Sequence, residues 1–79
     1  MRVYRIDKKH EAVAEIQTYL RALSYAYAAL PAVGIDGIFG TETEDAVRAF
    51  QRLFSRAETG FVDADTFALL YREYLSFTV

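Results

Sequence analysis

The segment DGIFGTETEDAVRAFQ, residues 36–51, indicates the fold because it joins a glycine-rich turn directly to an amphipathic helix. Gly37 and Gly40 bracket the apolar residues Ile38 and Phe39, and glycine at this density supplies backbone conformations with positive φ. After the turn, apolar residues recur at helical spacing and predict a helix near residues 42–54. Ala46, Val47, Phe50 and Leu53 fall on one face of this predicted helix. We expect Ile35, Ile38 and Phe39 to pin the turn onto the core.

The same turn returns later in the chain. GIFGTET at residues 37–43 is echoed by GFVDADT at residues 60–66: a glycine, two apolar residues, a capping residue, two variable residues and a threonine. Gly40 and Asp63 stand where a helix N-cap is expected. Thr43 and Thr66 then lie where a hydroxyl can reach back toward the cap. The second copy therefore predicts another helix, near residues 64–75.

A further helix is predicted near residues 10–24, where Val13, Ile16, Leu20 and Leu23 follow spacings of three, four and three. Pro31 prevents a regular continuation of this helix. The fold prediction is all-α: a small three-helix bundle with two glycine-rich connecting loops, forming a single domain over residues 1–79. Residues 2–6 and 75–79 are rich in strand-forming types, which predicts short extended termini. These termini are expected to pair with each other or with a partner's sheet edge.

Composition argues against several classes of function. The chain has no cysteine and one histidine, His10, which argues against a disulfide framework and a thiolate or imidazole zinc site. Its net charge of −2 provides no basic face for nucleic acid. No stretch approaches the roughly 20 apolar residues of a membrane span. No activated nucleophile is visible, and the acidic residues near the helix starts suit the helix dipole. We therefore predict no catalytic residue, no metal and no cofactor.

The motif residues resemble the peptidoglycan-binding domain family, a three-helix module often attached to cell-wall hydrolases. The resemblance covers about residues 12–71. Its first block is Val13, Ile16, Gln17 and Leu20; its second is Asp36, Gly37, Ile38, Phe39, Gly40, Thr43, Ala46, Val47, Phe50 and Gln51; its third is Thr59, Gly60, Val62, Asp63, Thr66, Phe67 and Leu70. The chain departs from the family at Ser55, Arg56 and Ala57, where glycine, leucine and proline are common. A charged side chain in place of a buried leucine suggests a surface adapted near the second loop.

What the resemblance implies is non-catalytic binding of bacterial cell-wall peptidoglycan, which targets or anchors a partner or assembly to the wall. The expected location is the cell wall or the outside of the cell, reached without a visible signal peptide, by another export route or within a larger particle. The alternative is a structural or protein-interaction subunit of a phage-tail or secretion-like assembly. In that case the partner of this chain is a protein.

Five residues are candidates for ligand contact. Tyr25 and Tyr27 are expected to edge a shallow groove beside the glycine loop, because tyrosine combines an apolar face with a polar tip. Asp36 either contacts ligand or forms an Asx-type turn over the following glycine. The amides of Gln17 and Gln51 either bind a sugar or peptide or tie down a loop carbonyl. Other aromatic residues outside the expected core are candidates for partial exposure: Tyr4, Tyr19, Phe54, Tyr74 and Phe77.

Overall fold

A computed structural model describes residues 11–78 and contains three α-helices. α1 spans Glu11–Ser24, α2 spans Thr41–Leu53 and α3 spans Ala64–Thr78. The described residues contain no β-strand beyond isolated bridge positions at Ile38 and Val62. The predicted all-α three-helix bundle is confirmed. No helix among the described residues has the length and apolar content that a bilayer crossing would require.

The three helices enclose one hydrophobic core, and α1 packs more closely against α3 than against α2. The predicted stripe of α1 is buried, as are the apolar residues that face it from the other two helices. The buried core residues are Val13, Ile16, Tyr19, Leu20, Leu23, Leu30, Val33, Phe39, Ala46, Val47, Phe50, Val62, Leu69 and Leu70. Each large side chain buried here contributes about 1.5–3 kcal/mol of transfer free energy. Burial of this stripe therefore fixes which side of each helix faces inward.

Two turns lead into the helices, and we call residues 34–40 the first elbow and residues 58–63 the second elbow. Each elbow buries only the second residue of its apolar pair: Phe39 is 2% exposed and Val62 is 0% exposed. Ile38 and Ile35, which were expected in the core, are 49% and 50% exposed. Successive side chains of an extended chain point to opposite sides, so two adjacent residues cannot both enter the core.

The helix starts agree with the repeated pattern. Gly40 is the N-cap of α2 and has an extended backbone, without a side-chain bond to the helix. Asp63 precedes α3, and its Oδ1 accepts a hydrogen bond of 2.8 Å from the backbone N–H of Thr66. This bond satisfies one of the backbone donors left without an intrahelical partner at a helix start.

The C-terminal segment corrects one prediction. Residues 75–78 were expected to be extended, but α3 continues to Thr78. A helix that has already formed gains one backbone hydrogen bond for each residue added, and no glycine or proline interrupts this one. That gain outweighs the weak strand preference of residues such as Phe77. The predicted N-terminal extended segment, residues 2–6, lies outside the described residues, as does His10.

α2 ends in a left-handed turn at Ser55, the position where the resemblance implied glycine. Ser55 adopts a left-handed conformation with φ of 59°. Its N–H donates to Arg52 O at 3.1 Å, and the N–H of Arg56 donates to Gln51 O at 2.7 Å. This pair of bonds is the Schellman motif, whose left-handed position usually holds glycine. Serine therefore occupies a strained position, and Arg56 is exposed where the resemblance implied a buried leucine.

Candidate functional site

Gln17 lies at the centre of a hydrogen-bond network that holds the first elbow. Its side chain is 1% exposed. Its Oε1 accepts hydrogen bonds from the backbone N–H groups of Asp36 at 3.0 Å and Gly37 at 2.9 Å. Its Nε2 contacts three acceptors: Asp36 Oδ1 at 2.9 Å, Ile38 O at 3.0 Å and Thr43 Oγ1 at 3.0 Å. One residue of α1 thus holds both the first elbow and the first helical turn of α2.

Gln51 of α2 repeats this arrangement at the second elbow. Its Oε1 accepts from the N–H of Gly60 at 3.0 Å. Its Nε2 contacts Thr59 Oγ1 at 3.0 Å, Phe61 O at 3.1 Å and Thr66 Oγ1 at 3.4 Å. In both elbows the amide thus contacts the residue before the glycine, the carbonyl after it, and the threonine of the next helix. The sequence echo is therefore a repeated structural unit.

The threonines of the echo have a different partner from the one expected. Thr43 and Thr66 were predicted to reach back to the helix caps, but their Oγ1 atoms accept hydrogen bonds from the two glutamine amides. Both threonines are buried. Among the described residues, every buried side-chain nitrogen and oxygen atom has a hydrogen-bond partner.

The sequence left two roles open for Gln17 and Gln51: contact with a ligand, or holding a loop. In the structure both amides hold a loop. Gln51 is also buried, at 2% exposure, so neither side chain presents appreciable surface to a ligand. The donors around each Oε1 fix the orientation of the amide. We therefore assign both residues to the scaffold that positions the elbows.

Asp36 forms the Asx-type turn that the sequence allowed. Its Oδ1 accepts from the N–H of Ile38 at 3.0 Å as well as from Gln17. The Ile38 N–H and, second, the Gln17 amide hold the pKa of the Asp36 carboxyl below its ordinary value. The residue is nevertheless exposed, with the half-exposed Ile35 and Ile38 on either side. The first elbow therefore presents an ionised carboxylate between two aliphatic side chains.

The two candidate tyrosines differ in their surroundings. Tyr25 is 70% exposed. Tyr27 is partly buried, its ring lies 5.7 Å from that of Phe54 edge-on, and its hydroxyl donates to Glu73 Oε1 at 3.3 Å. Desolvation, followed by the nearby Glu73 carboxylate, raises the pKa of Tyr27. Tyr25 thus has a ring available for stacking, whereas Tyr27 is engaged by α2 and α3.

The structure groups some of these residues and separates others. Arg21, near the end of α1, donates to Val33 O at 3.2 Å. This bond ties the chain that leads into the first elbow to the part of α1 that Tyr25 follows. The first elbow contacts the N-terminal end of α2, since Gly34 N–H donates to Glu42 Oε1 at 3.2 Å. Tyr27 instead contacts the other end of α2, roughly 20 Å away for a helix of 13 residues.

One aromatic residue expected to be partly exposed is part of the core. Tyr19 is 7% exposed, and its ring lies 6.1 Å from Phe67, 5.7 Å from Tyr71 and 4.6 Å from Tyr74 between centroids. Its hydroxyl donates to Glu15. Burial, then the Glu15 contact, raises the pKa of Tyr19. The position of Tyr19 three residues after Ile16 was a signal of this burial, because both fall on one helix face.

Within residues 11–78 no three histidine, cysteine or carboxylate side chains come together in a way that could hold a metal ion. The carboxylates of α2 mainly serve local contacts, such as the 3.0 Å pair between Glu44 and Arg48. Among the side chains predicted to contact a ligand, Tyr25 and Asp36 are exposed.

Comparison with known families agrees with this fold. A family described as "Putative peptidoglycan binding domain" matches residues 9–70, most of the chain. The match includes both elbows, both glutamines and the three-helix core described above. No curated protein and no solved structure matches the chain. On the basis of the family match, the chain belongs to the peptidoglycan-binding domain family.

Proposed function

We propose that this protein binds bacterial cell-wall peptidoglycan and catalyses no reaction on it. The observation that carries the proposal is the family match over residues 9–70. The repeated glutamine network supports the proposal. Its hydrogen bonds hold the elbows in place, and the side chains on the outer surface of the elbows remain available to a ligand. On this proposal the protein acts at the cell wall or outside the cell, where it targets or anchors a partner or assembly.

The proposed contact surface consists of Tyr25, Ile35, Asp36 and Ile38, which we call the first-elbow surface. Peptidoglycan offers N-acetyl methyl groups, sugar faces and amino groups on its peptides. The exposed isoleucines suit the methyl groups, the Tyr25 ring suits a sugar face, and the ionised Asp36 suits an ammonium group. Tyr27 lies outside this surface and contacts Phe54 and Glu73. Gln17 and Gln51 act indirectly by holding the elbows.

Sedimentation with purified sacculi, the intact peptidoglycan sheets of the wall, tests the proposal. Wild-type protein is expected in the pellet, and the double variant Tyr25→Ala with Asp36→Asn is expected to bind at least tenfold more weakly. Asparagine keeps an oxygen for the Ile38 N–H and the Gln17 amide, so this change removes charge without removing the turn. Tyr27→Phe keeps the ring beside Phe54 and reports on the hydroxyl alone.

Tyr71→Ala is the matched control, because Tyr71 is an exposed tyrosine of α3, outside the first-elbow surface. Its binding is expected to equal that of the wild type. Wild-type protein that stays in the supernatant would contradict the proposed function. Release of soluble wall fragments during the incubation would contradict the absence of catalysis.

A second candidate function is protein interaction within a larger assembly. Exposed apolar side chains on the C-terminal half of α3 favour it: Tyr71, Leu75 and Phe77 are 45%, 39% and 44% exposed. Substitution of Leu75 and Phe77 by Ser is expected to abolish co-purification with a protein partner while sacculus binding persists. Unchanged co-purification would remove this candidate.

A further inference from the structure

A shallow depression of about 170 Å³ lies between Arg56, which follows the end of α2, and one side of α3. It is lined by Arg56, Asp65, Ala68, Leu69 and Arg72. The four α3 residues fall at helical spacing on one side of the helix, and Arg56 follows the Schellman turn at the end of α2. The depression is therefore framed by two backbone elements with fixed hydrogen bonding, and none of its lining residues belongs to the first-elbow surface.

The depression exists where the chain departs from its family. The resemblance described in the sequence analysis implies a leucine at the position of Arg56, and an apolar contact there would cover this side of α3. Arg56 extends along the surface instead, with its Nε 3.7 Å from Asp65 Oδ2. Leu69, 5% exposed, and the small side chain of Ala68 form an apolar floor beneath the guanidinium groups.

The charges at the rim favour an anion. Two guanidinium groups and one carboxylate leave a local excess of one positive charge. The contact between Arg56 and Asp65 is long, and both side chains are largely exposed, so the ion pair contributes little to stability. Arg56 can therefore exchange Asp65 for another anionic partner. Among the ion pairs of the described part of the chain, none involves Arg72. A guanidinium fork pairs best with a planar carboxylate through two parallel hydrogen bonds.

The size of the depression limits the ligand further. Pockets for drug-sized ligands usually measure about 300–1,000 Å³, so this one suits a single terminal residue and not a disaccharide. The floor of Ala68 and Leu69 suits a small apolar side chain such as that of alanine. We propose that the depression framed by Arg56 and Arg72 binds the free carboxylate end of a peptidoglycan stem peptide, the short peptide attached to the glycan.

This inference rests on the proposed wall binding and names a second contact for it. A single exposed site of this size has a low affinity for its ligand when it acts alone. Peptidoglycan carries many stem peptides on one polymer, however, so a carboxylate site and the first-elbow surface can be occupied together. The chain then contacts peptidoglycan through two separate sets of residues.

Titration of ¹⁵N-labelled protein with N-acetyl-D-alanyl-D-alanine, followed by NMR, tests the inference. Shift changes are expected at Arg56, Ala68, Leu69 and Arg72. The C-terminal amide of the same dipeptide is expected to bind at least tenfold more weakly, because it lacks the charge. Arg72→Gln is expected to weaken dipeptide binding at least fivefold, and Asp65→Asn to strengthen it by removing the competing carboxylate.

Arg52→Gln is the matched control, since Arg52 is another exposed arginine, outside the depression. It is expected to leave dipeptide binding within twofold of the wild-type value. Equal binding of the acid and the amide would overturn the inference, as would shift changes that avoid these four residues. The inference is also wrong if Arg72→Gln binds the dipeptide as tightly as the wild type.

The two proposals fail in different ways. If wild-type protein sediments with sacculi but the dipeptide produces no shifts in the depression, wall binding stands and the carboxylate site is wrong. If the dipeptide binds but the protein does not sediment with sacculi, the carboxylate site stands and the proposed function is wrong. Arg56→Leu adds a third readout: restoring the family's leucine is expected to cover the floor and abolish dipeptide binding while the helices remain folded.

Discussion

Replacing Gln17 with leucine is the most direct test of how this fold is held together. Leucine has a similar volume and suits the buried position, but it removes all five hydrogen-bond contacts between the Gln17 amide and the first elbow. Gly37 N–H and Thr43 Oγ1 lose a partner inside the protein. The groups of Asp36 and Ile38 lie nearer the surface and regain hydrogen bonds with water.

The size of the effect follows from these contacts. Each hydrogen bond contributes about 1 kcal/mol net, and a buried polar group without a partner costs roughly 1–3 kcal/mol. With part of the network rehydrated, Gln17→Leu is expected to lower the free energy of unfolding by about 3 kcal/mol. A domain of this length has only about 4–12 kcal/mol in total. The substitution therefore removes a large share of the stability of the fold.

Urea denaturation followed by circular dichroism measures this loss. With an m-value of about 1 kcal/mol/M for a small domain, the midpoint is expected to fall by about 3 M. Thr18→Ala is the control, because the Thr18 hydroxyl donates only to Ala14 O within its own helix, at 2.8 Å. It is expected to change stability by less than about 0.5 kcal/mol. A loss below about 1 kcal/mol for Gln17→Leu would refute the reasoning that the amide holds the elbow.

Single positions give three further predictions. Ser55→Gly is expected to raise the free energy of unfolding by about 0.5–1 kcal/mol, measured by urea denaturation, because φ of 59° suits glycine; a lower stability would contradict the strain at this turn. Phe50→Ala, at a residue with 0% exposure, is expected to cost about 3–5 kcal/mol, and a cost below about 1 kcal/mol would show that the core does not depend on this ring. The folded-state pKa of the Asp36 carboxyl is lowered, so its ionised form stabilises the fold. This stabilisation is present above the ordinary pKa near 3.9 and is lost as pH falls through the folded pKa. Asp36→Asn is therefore expected to flatten the dependence of stability on pH below about pH 4, and an unchanged slope would be inconsistent with this assignment.

Much of the fold was predictable because it depends on local patterns. The apolar spacing of Val13, Ile16 and Leu20 defines one helix face, and Gly37 and Gly60 mark two turns that lead into helices. Both glycines have positive φ, 75° and 82°. The ends of the helices were also close to those predicted, except at α3, where strand preference was a poor guide to the last turn.

The candidate site was less predictable because exposure depends on which direction each side chain points after folding. Ile38 and Phe39 are adjacent apolar residues, yet one is half-exposed and the other is buried. Tyr25 and Tyr27 were expected to share one groove, but Tyr27 is drawn toward Phe54 and Glu73. No pattern within a single segment indicates contacts to residues 27 and 46 positions away.

The sequence by itself determined the three helices, the two glycine turns and the family, since each depends on residue types at fixed local spacing. Only the tertiary structure decided what Gln17 and Gln51 do. An amide has the same donors and acceptors whether it meets a ligand or the protein itself. Packing of α1 and α2 against the elbows brings residues up to 26 positions apart within hydrogen-bond distance, and that proximity selects the partner.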